Sequence, residues 1–172
     1  MRAAIVIGHD KTSPGAYSPF LGMSEYLYNS EVASYLHEFC IYRRPIGGGY
    51  KTQMRLLAEQ INKEDFDLVV ELHFNMFDGI ANEKGEGVET VSYPGNTYTK
   101  ELGNKFCKLI SEEYNTKSRG AKEGIKNGRG WHFLDMIATN AIIVEPFFGD
   151  ELEAEKFENP GVYAEVIKRW LK

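Results

Sequence analysis

Cysteine is scarce in this chain, and its scarcity excludes two kinds of stabilising site. The 172 residues include only Cys40 and Cys107, and these two do not form a Cys-x-x-Cys pair. The sequence therefore indicates neither a disulfide framework nor a thiolate metal site, and both cysteines are expected to be buried thiols. A chain of this length can bury most of its apolar surface without such cross-links, so we predict one domain over residues 1–172.

Long hydrophobic runs and an excess of basic residues are also missing. No stretch approaches the roughly 18 apolar residues of a membrane span, so no membrane insertion is expected. The formal net charge of -5 argues against nucleic acid as the main partner, because phosphate binding requires a basic face. The apolar run before Gly8 is too short for a signal-peptide core, so we expect synthesis in the cytoplasm without a signal peptide.

Short apolar segments alternate with segments of helical periodicity. The strand-like segments are residues 3–8, 39–43, 67–74, 87–93, 131–135 and 141–148. Apolar strands that alternate with helices are typical of a parallel sheet whose two faces are both covered. The predicted fold class is α/β, with a mainly parallel (mixed), six-stranded twisted sheet and helices on both faces.

Helices and loops complete the predicted order of elements. Helical spacing of apolar residues favours helices over residues 24–39, 52–63, 97–114 and 161–172, with Ser24 and Thr52 as the expected N-caps of the first two. Glycine and proline are concentrated in residues 10–22, 45–50, 78–87 and 117–130, which we interpret as loops. None of these loops has the length or composition of a flexible domain linker.

The stretch DLVVELHFN, residues 67–75, begins like a buried strand and ends with polar residues at alternate positions. Alternate side chains of a strand share a face, so Glu71, His73 and Asn75 should point the same way. A single histidine near a strand end is more often hydrogen-bonded in the core than bound to a metal. A metal site therefore requires that other ligands converge on His73.

Three apolar strands end in a residue that can hold or serve a metal, namely His9, His73 and Glu145. Ligands of open α/β sheets bind beyond the carboxyl ends of the strands, so these residues are expected at one edge of the sheet. Two histidines suggest zinc, which takes nitrogen and carboxylate oxygen ligands and, in catalytic sites, three protein ligands plus a water. A third protein ligand is then needed.

Glu25, Glu71 and His132 are the candidates for the third ligand, and the residues alone do not rank them. Glu25 lies in the first turn of a predicted helix, where a carboxylate can simply compensate the helix dipole. Glu71 lies one pleat deeper than His73, where it can pair with a basic side chain or orient a ligand. His132 alternates with Trp131 and Phe133 in a predicted strand, which suits a half-exposed core histidine.

Taken in order, several segments resemble the zinc-dependent N-acetylmuramoyl-L-alanine amidases of the amidase-3 type, which have a phosphorylase/hydrolase-like fold. The resemblance runs from residue 4 to residue 171 and is carried by IVIGHDKTSPGA, SEYLYN, ELHFN, GVETVSY, SRGAK and AIIVEPFFGDELEAEKF. It implies that His9, Glu25 and His73 are the metal ligands and that Glu145 is the catalytic carboxylate. Asp10 and Lys11, Glu71 and Asn140 depart from residues frequent in the family, which bears on the contacts to substrate and leaves the ligand set intact.

The resemblance also implies an activity, a cofactor and partners. One Zn²⁺ per chain would support hydrolysis of the amide bond between N-acetylmuramic acid and L-alanine in peptidoglycan, with Glu145 passing a proton from water to the departing amine. Glu71, Asn75 and Arg119 are expected to bind substrate or to orient the ligands. With neither a signal peptide nor a separate wall-binding domain expected, a phage or prophage endolysin fits. Such an enzyme reaches the wall after a pore-forming holin releases it.

Two other functions remain open on the sequence. Another zinc peptidoglycan hydrolase, a carboxypeptidase or a deacetylase, would keep the metal and change the bond, although the chain has neither a His-x-x-Glu pair nor a His-Glu-x-x-His motif. A wall-binding or regulatory domain with a degenerate site would need no catalysis. The presence of all four proposed active-site residues argues against that second possibility.

Overall fold

Strands and helices alternate through the part of the chain that the computed structural model describes, residues 1–77 and 86–172. The strands are β1 (Ala3–Ile7), β2 (Tyr17–Ser18), β3 (Met23–Ser24), β4 (Cys40–Arg43), β5 (Leu68–Leu72), β6 (Val88–Ser92), β7 (Ser118–Glu123) and β8 (Asn140–Glu145). The α-helices are α1 (Glu25–Ser34), α2 (Gly49–Ile61), α3 (Thr97–Tyr114), α4 (Trp131–Met136) and α5 (Pro160–Leu171), and a 3-10 helix covers Leu152–Phe157. Most of the loop predicted at residues 78–87 lies outside the described residues.

The main sheet has six strands in the order β4-β1-β5-β8-β6-β7. Neighbouring strands are parallel, except that β6 and β8 are antiparallel. Every residue of β1 and β5 is buried, because both strands have a neighbour on each side and helices above and below. The predicted mixed, mainly parallel, six-stranded sheet is therefore confirmed, and β2 and β3 form a separate antiparallel ribbon.

Two apolar clusters lie on the two faces of the sheet, as the prediction of helices on both faces requires. Adjacent residues of β1 belong to different clusters. Ile5 packs with the buried side chains of α1, α3 and α5, whereas Val6 packs with those of α2 and α4. This alternation is the period-two pattern of a pleated strand buried on both sides. None of the helices in the described ranges is both long and apolar enough to cross a membrane.

Two predicted elements are wrong. Residues 131–135, predicted to be a strand, form helix α4, and the predicted loop at residues 117–130 contains strand β7. The first error arises because a five-residue apolar segment is too short for its periodicity to distinguish a strand from a helix. The second arises because β7, SRGAKE, is a polar strand at the edge of the sheet, where no apolar alternation is required.

The helix boundaries agree with the sequence in part. Ser24 caps α1, accepting a hydrogen bond from the Leu27 amide at 3.4 Å, and residues 97–114 form α3 as predicted. Thr52 is not the cap of α2, because this helix begins earlier, after Gly48, whose φ of 77° is left-handed. Cys107 is buried as predicted, but Cys40 is exposed on strand β4 at the sheet edge, so the prediction of two buried thiols is wrong.

The strand order determines which residues meet at one edge of the sheet. The adjacent parallel strands β1, β5 and β8 all end there. Because β6 runs antiparallel to β8 and β7 runs parallel to β6, the starts of β6 and β7 lie at the same edge. The carboxyl ends of β1, β5 and β8 and the first residues of β6 and β7 are therefore brought together.

Candidate metal centre and its carboxylates

His9, Glu25 and His73 meet at this edge, with one potential ligand atom from each lying within 4.8 Å of the others. Glu25 Oε2 is 3.1 Å from His9 Nε2, and Glu25 Oε1 is 2.6 Å from His73 Nδ1. The two imidazole rings lie 5.0 Å apart between centroids. Two imidazole nitrogens and one carboxylate thus lie close enough together to hold a metal ion, although their role as ligands stays a prediction.

The loop between β1 and α1 folds back so that the carboxylate of Glu25 reaches the two histidines. The Glu25 amide donates to the Ala16 carbonyl at 2.8 Å, and the Ala16 amide donates to Glu25 Oε2 at 3.2 Å. At Gly15, whose φ is +77°, a Cβ atom would lie 2.6 Å from both Glu25 Oε2 and His9 Cδ2. Only glycine can therefore occupy this position without displacing the cluster.

The charges within the cluster are strongly coupled. Burial raises the pKa of Glu25, but His73 and His9 outweigh this effect and hold that pKa well below its usual range. Burial lowers the pKa of His73, but Glu71 and Glu25 outweigh it and raise the pKa to about 9. The buried carboxylates therefore stabilise positive charge between them, and a bound metal would compete with the imidazole proton for that position.

Glu71 lies on the opposite side of the His73 ring from Glu25. Its Oε2 is 3.3 Å from His73 Nε2, and its Oε1 accepts a hydrogen bond of 2.6 Å from the Arg44 guanidinium. Burial raises the pKa of Glu71, but Arg44 and His73 outweigh it and lower the pKa to about 2. Among the candidates for the third ligand, Glu25 lies in the cluster. Glu71 instead contacts Nε2 of His73, the ring nitrogen that faces away from the cluster.

Glu145, the last residue of β8, lines the same cleft as His9 and His73. Burial raises its pKa to about 7, the Glu89 carboxylate adds to the rise, and His73 and Arg129 act against it. A carboxyl group with a pKa near neutrality can exist in both protonation states at the pH of the cell. Glu145 can therefore both accept and donate a proton.

Glu89 is a site residue that the sequence analysis missed. It stands directly opposite Glu145 in the antiparallel pairing of β6 and β8. Asn75 Nδ2 donates to Glu89 Oε1 at 3.0 Å and Arg119 Nε donates to Glu89 Oε2 at 2.6 Å, so both residues expected near the site converge on Glu89. The available signal was an acidic residue inside the strand GVETVSY, but the sequence does not reveal that this strand runs antiparallel to its neighbour.

The cleft above these residues has a volume of about 760 Å³. Its walls come from the segment that follows β1, the start of α2 and the segment that precedes α4, and they include Ser13, Tyr50 and Arg129. His132 lies in α4 with its ring centroid 5.7 Å from that of Tyr50 and is not part of the histidine and glutamate cluster. The cleft is large enough to receive a segment of a polymer beside the cluster.

The protein family of this chain follows from its similarity to known sequences. The sequence model of the N-acetylmuramoyl-L-alanine amidases, amidase-3 type, matches residues 4–169. The chain belongs to this amidase family. Enzymes of the family hydrolyse the bond between N-acetylmuramic acid and L-alanine in peptidoglycan, so the family match gives the reaction of this amidase. A comparison with curated proteins gave no match.

Solved structures share the fold of the amidase over nearly its whole length. The catalytic domain of the CD27L endolysin, which targets Clostridia difficile, has a TM-score of 0.78 and 22% identity, covering 99% of this chain and 96% of that chain. Cwp6 from Clostridium difficile has a TM-score of 0.72 and 24% identity, covering 99% of this chain and 29% of that chain. The CwlD amidase from Clostridioides difficile, in complex with the GerS lipoprotein, has a TM-score of 0.73 and 18% identity, covering 99% and 98%. At these identities the likeness establishes the fold.

The ion pair of Arg44 and Glu71 should be a strong stabilising contact of the metal-free amidase. The side chain of Arg44 is 7% exposed and that of Glu71 0%, so Arg44→Met leaves a buried carboxylate without its guanidinium and should lower the free energy of unfolding by about 3 kcal/mol. Adding Glu71→Leu should recover most of this loss. Urea unfolding in the presence of a chelator measures both effects.

Arg55→Met is the matched control for this prediction, because Arg55 is paired with Glu59 on the surface of α2. Its loss should cost less than about 1 kcal/mol. Equal losses in the free energy of unfolding for Arg44→Met and Arg55→Met would show that the buried ion pair stabilises the fold no more than the exposed one.

Proposed function

We propose that this amidase works with one zinc ion held by His9, Glu25 and His73, and that Glu145 transfers the proton during cleavage of the amide bond. The observation that carries the proposal is the convergence of two imidazole nitrogens and one carboxylate within 4.8 Å, beside a carboxyl group whose pKa is raised to about 7. Two histidines and one glutamate are a ligand set that catalytic zinc adopts.

The contacts of His73 support zinc as the occupant. Nδ1 is directed to the cluster, where it faces Glu25. Nε2, on the other side of the ring, faces the carboxylate of Glu71, which lies outside the cluster. A carboxylate behind a metal-binding histidine fixes the orientation of its ring and makes the imidazole a better ligand. When bound, zinc would polarise the carbonyl of the scissile amide and lower the pKa of a water to roughly 7.

The proton transfers are assigned to Glu145. Its carboxylate would accept a proton from the water that attacks the carbonyl carbon. The same carboxyl group would then deliver that proton to the nitrogen of the departing L-alanine, so that cleavage forms an amine and a free lactyl carboxylate. A group whose pKa lies near the working pH is suited to both steps. Asn75 and Arg119 would act here indirectly, because both hydrogen-bond Glu89 beside Glu145.

His73→Ala should abolish stoichiometric zinc binding, because it removes the ligand at the centre of the carboxylate network. Elemental analysis of purified, dialysed protein should find about one zinc per wild-type chain and much less in the variant. His37→Ala is the control, since His37 is exposed and lies outside the cluster. If His73→Ala retained the zinc content of His37→Ala, the proposed ligand set would be wrong.

Glu145→Gln should keep its zinc and lose turnover by roughly 10²- to 10⁴-fold, because the amide cannot accept and return the proton. The assay follows the appearance of new N-terminal alanine from purified peptidoglycan. This product separates an amidase from a carboxypeptidase, which frees a C-terminal residue, and from a deacetylase, which frees acetate. Glu158→Gln, an exposed control, should keep full activity. Near-normal turnover of a folded, zinc-loaded Glu145→Gln protein would refute the role of Glu145.

We further propose that the amidase acts in host lysis as a phage or prophage endolysin, made in the cytoplasm and acting on the cell wall after release. The support is that the CD27L endolysin catalytic domain shares the fold over 99% of this chain. The CwlD amidase shares it equally widely, so the fold alone does not distinguish a lytic enzyme from other wall amidases.

The lytic role predicts that access to the wall limits activity in cells. Expression of the amidase alone in a bacterial cytoplasm should leave the cells intact, whereas co-expression with a pore-forming holin should cause lysis, followed as a fall in turbidity. The same pair carrying Glu145→Gln should not lyse cells beyond the effect of holin alone. Lysis that did not depend on the holin would contradict the proposed route to the wall.

A further inference from the structure

Two carboxyl groups face each other across the antiparallel strands β6 and β8. Glu89 and Glu145 are direct partners in the register, and both line the cleft beside His73. Side chains of directly opposed residues project from the same side of a sheet and lie in contact range. Two ionised carboxylates at such a distance repel each other, so the arrangement is stable when the pair holds one proton.

The two carboxyl groups differ in how firmly they are held. Arg119 Nε lies 2.6 Å from Glu89 Oε2 and Asn75 Nδ2 lies 3.0 Å from Glu89 Oε1, so both oxygens of Glu89 accept hydrogen bonds. Asn75 is itself fixed, since its amide donates to the Phe147 carbonyl at 2.8 Å, and the Arg119 guanidinium lies over the Phe148 ring at 5.1 Å. Glu89 is therefore the anchored member of the pair.

Glu145 has a different environment. Its carboxyl group stands opposite that of Glu89 in the strand register, and within residues 1–77 and 86–172 no backbone or side-chain N–H donates to it. An anchored carboxylate with its oxygens oriented by Arg119 and Asn75 is the natural acceptor, and the less constrained Glu145 is the natural site of the shared proton. A hydrogen bond between the two carboxyl groups would restrict the rotation of the one that is proposed to meet the water and the departing amine.

We propose that Glu89 is a positioning residue of the amidase: its anchored carboxylate accepts a hydrogen bond from the protonated carboxyl group of Glu145 and holds that group facing the cleft. The inference rests on the proton-transfer role proposed for Glu145. It assigns Asn75 and Arg119 a task, which is to orient Glu89 rather than to contact the scissile bond.

The pH dependence provides a readout that a purely structural role would not change. The charged groups that face Glu145 are Glu89 from β6, His73 from the end of β5 and Arg129 from the segment before α4. Glu89 raises the pKa of Glu145, whereas His73 and Arg129 lower it. Removing the charge of Glu89 should therefore lower the pKa of Glu145, so that the acidic limb of kcat/KM moves to lower pH.

Glu89→Gln tests both parts of the proposal. Turnover should fall roughly tenfold to a hundredfold because the proton-transferring group is less well oriented, KM should change less than about twofold, and the acidic limb should move down by about one pH unit. In a Glu145→Gln background, Glu89→Gln should cause little further loss, because its effect passes through Glu145. Glu123→Gln, on neighbouring strand β7 with an exposed ion pair to Lys100, is the control and should leave kcat, KM and the pH profile unchanged.

Glu89→Asp distinguishes the effect of the negative charge from the effect of side-chain length. It keeps the negative charge but withdraws the carboxylate by one methylene, so turnover should fall while the acidic limb moves less than in Glu89→Gln. Zinc content and thermal unfolding are measured for every variant, and if Glu89→Gln does not fold, Glu89→Asp decides alone. Wild-type kcat and pH profile in the folded Glu89 variant would overturn the proposal. Retained turnover in Glu145→Gln would instead refute the proposed function, so the two failures are distinguishable.

Discussion

The buried carboxylate of Glu25 is the contact on which the geometry of the site depends. One oxygen accepts a hydrogen bond from the Phe74 amide at 3.2 Å and lies 2.6 Å from His73 Nδ1, while the other contacts Ala16 and His9. This single group thereby joins the loop after β1, the first turn of α1 and the end of β5. A carboxylate is stable in such a position only because positive charge and N–H donors surround it. The same contacts that fix the loop also bring the carboxylate and two imidazole nitrogens close enough to hold a cation.

The antiparallel strand β6 gives the site its second half. In a wholly parallel sheet the start of β6 would lie at the opposite edge, and Glu89 could not stand opposite Glu145. Reversal of one strand brings a carboxyl pair to the edge where β1 and β5 present the histidines, and Arg119 from β7 follows because β7 runs parallel to β6. The candidate site thus combines a cluster of two histidines and a glutamate at the ends of parallel strands with a pair of carboxyl groups brought together by an antiparallel strand.

The central elements were predictable from sequence because their environment leaves a clear pattern. β1 and β5 are buried on both faces, so β1 is a continuous apolar run and β5 is apolar apart from Glu71. The positions of His9, His73 and Glu145 at strand ends indicated a shared edge. Glu25 could not be ranked above Glu71 from the residues alone, since a helix start explains an acid equally well, and only the family resemblance favoured it. Strand β7, helix α4 and the position of Glu89 opposite Glu145 depend on tertiary context, because edge position, element length and strand direction leave no distinct periodicity.

The exposed position of Cys40 has a practical consequence. Cys40 pairs with Ala4 near the beginning of β1, so it lies towards the end of the sheet opposite the cleft, and the other thiol, Cys107, is buried. A maleimide reagent therefore has one accessible target on the native fold. Attachment through this thiol would tether the enzyme to a bead or sensor surface in a single orientation, with the cleft facing away from the surface and accessible to an insoluble polymer.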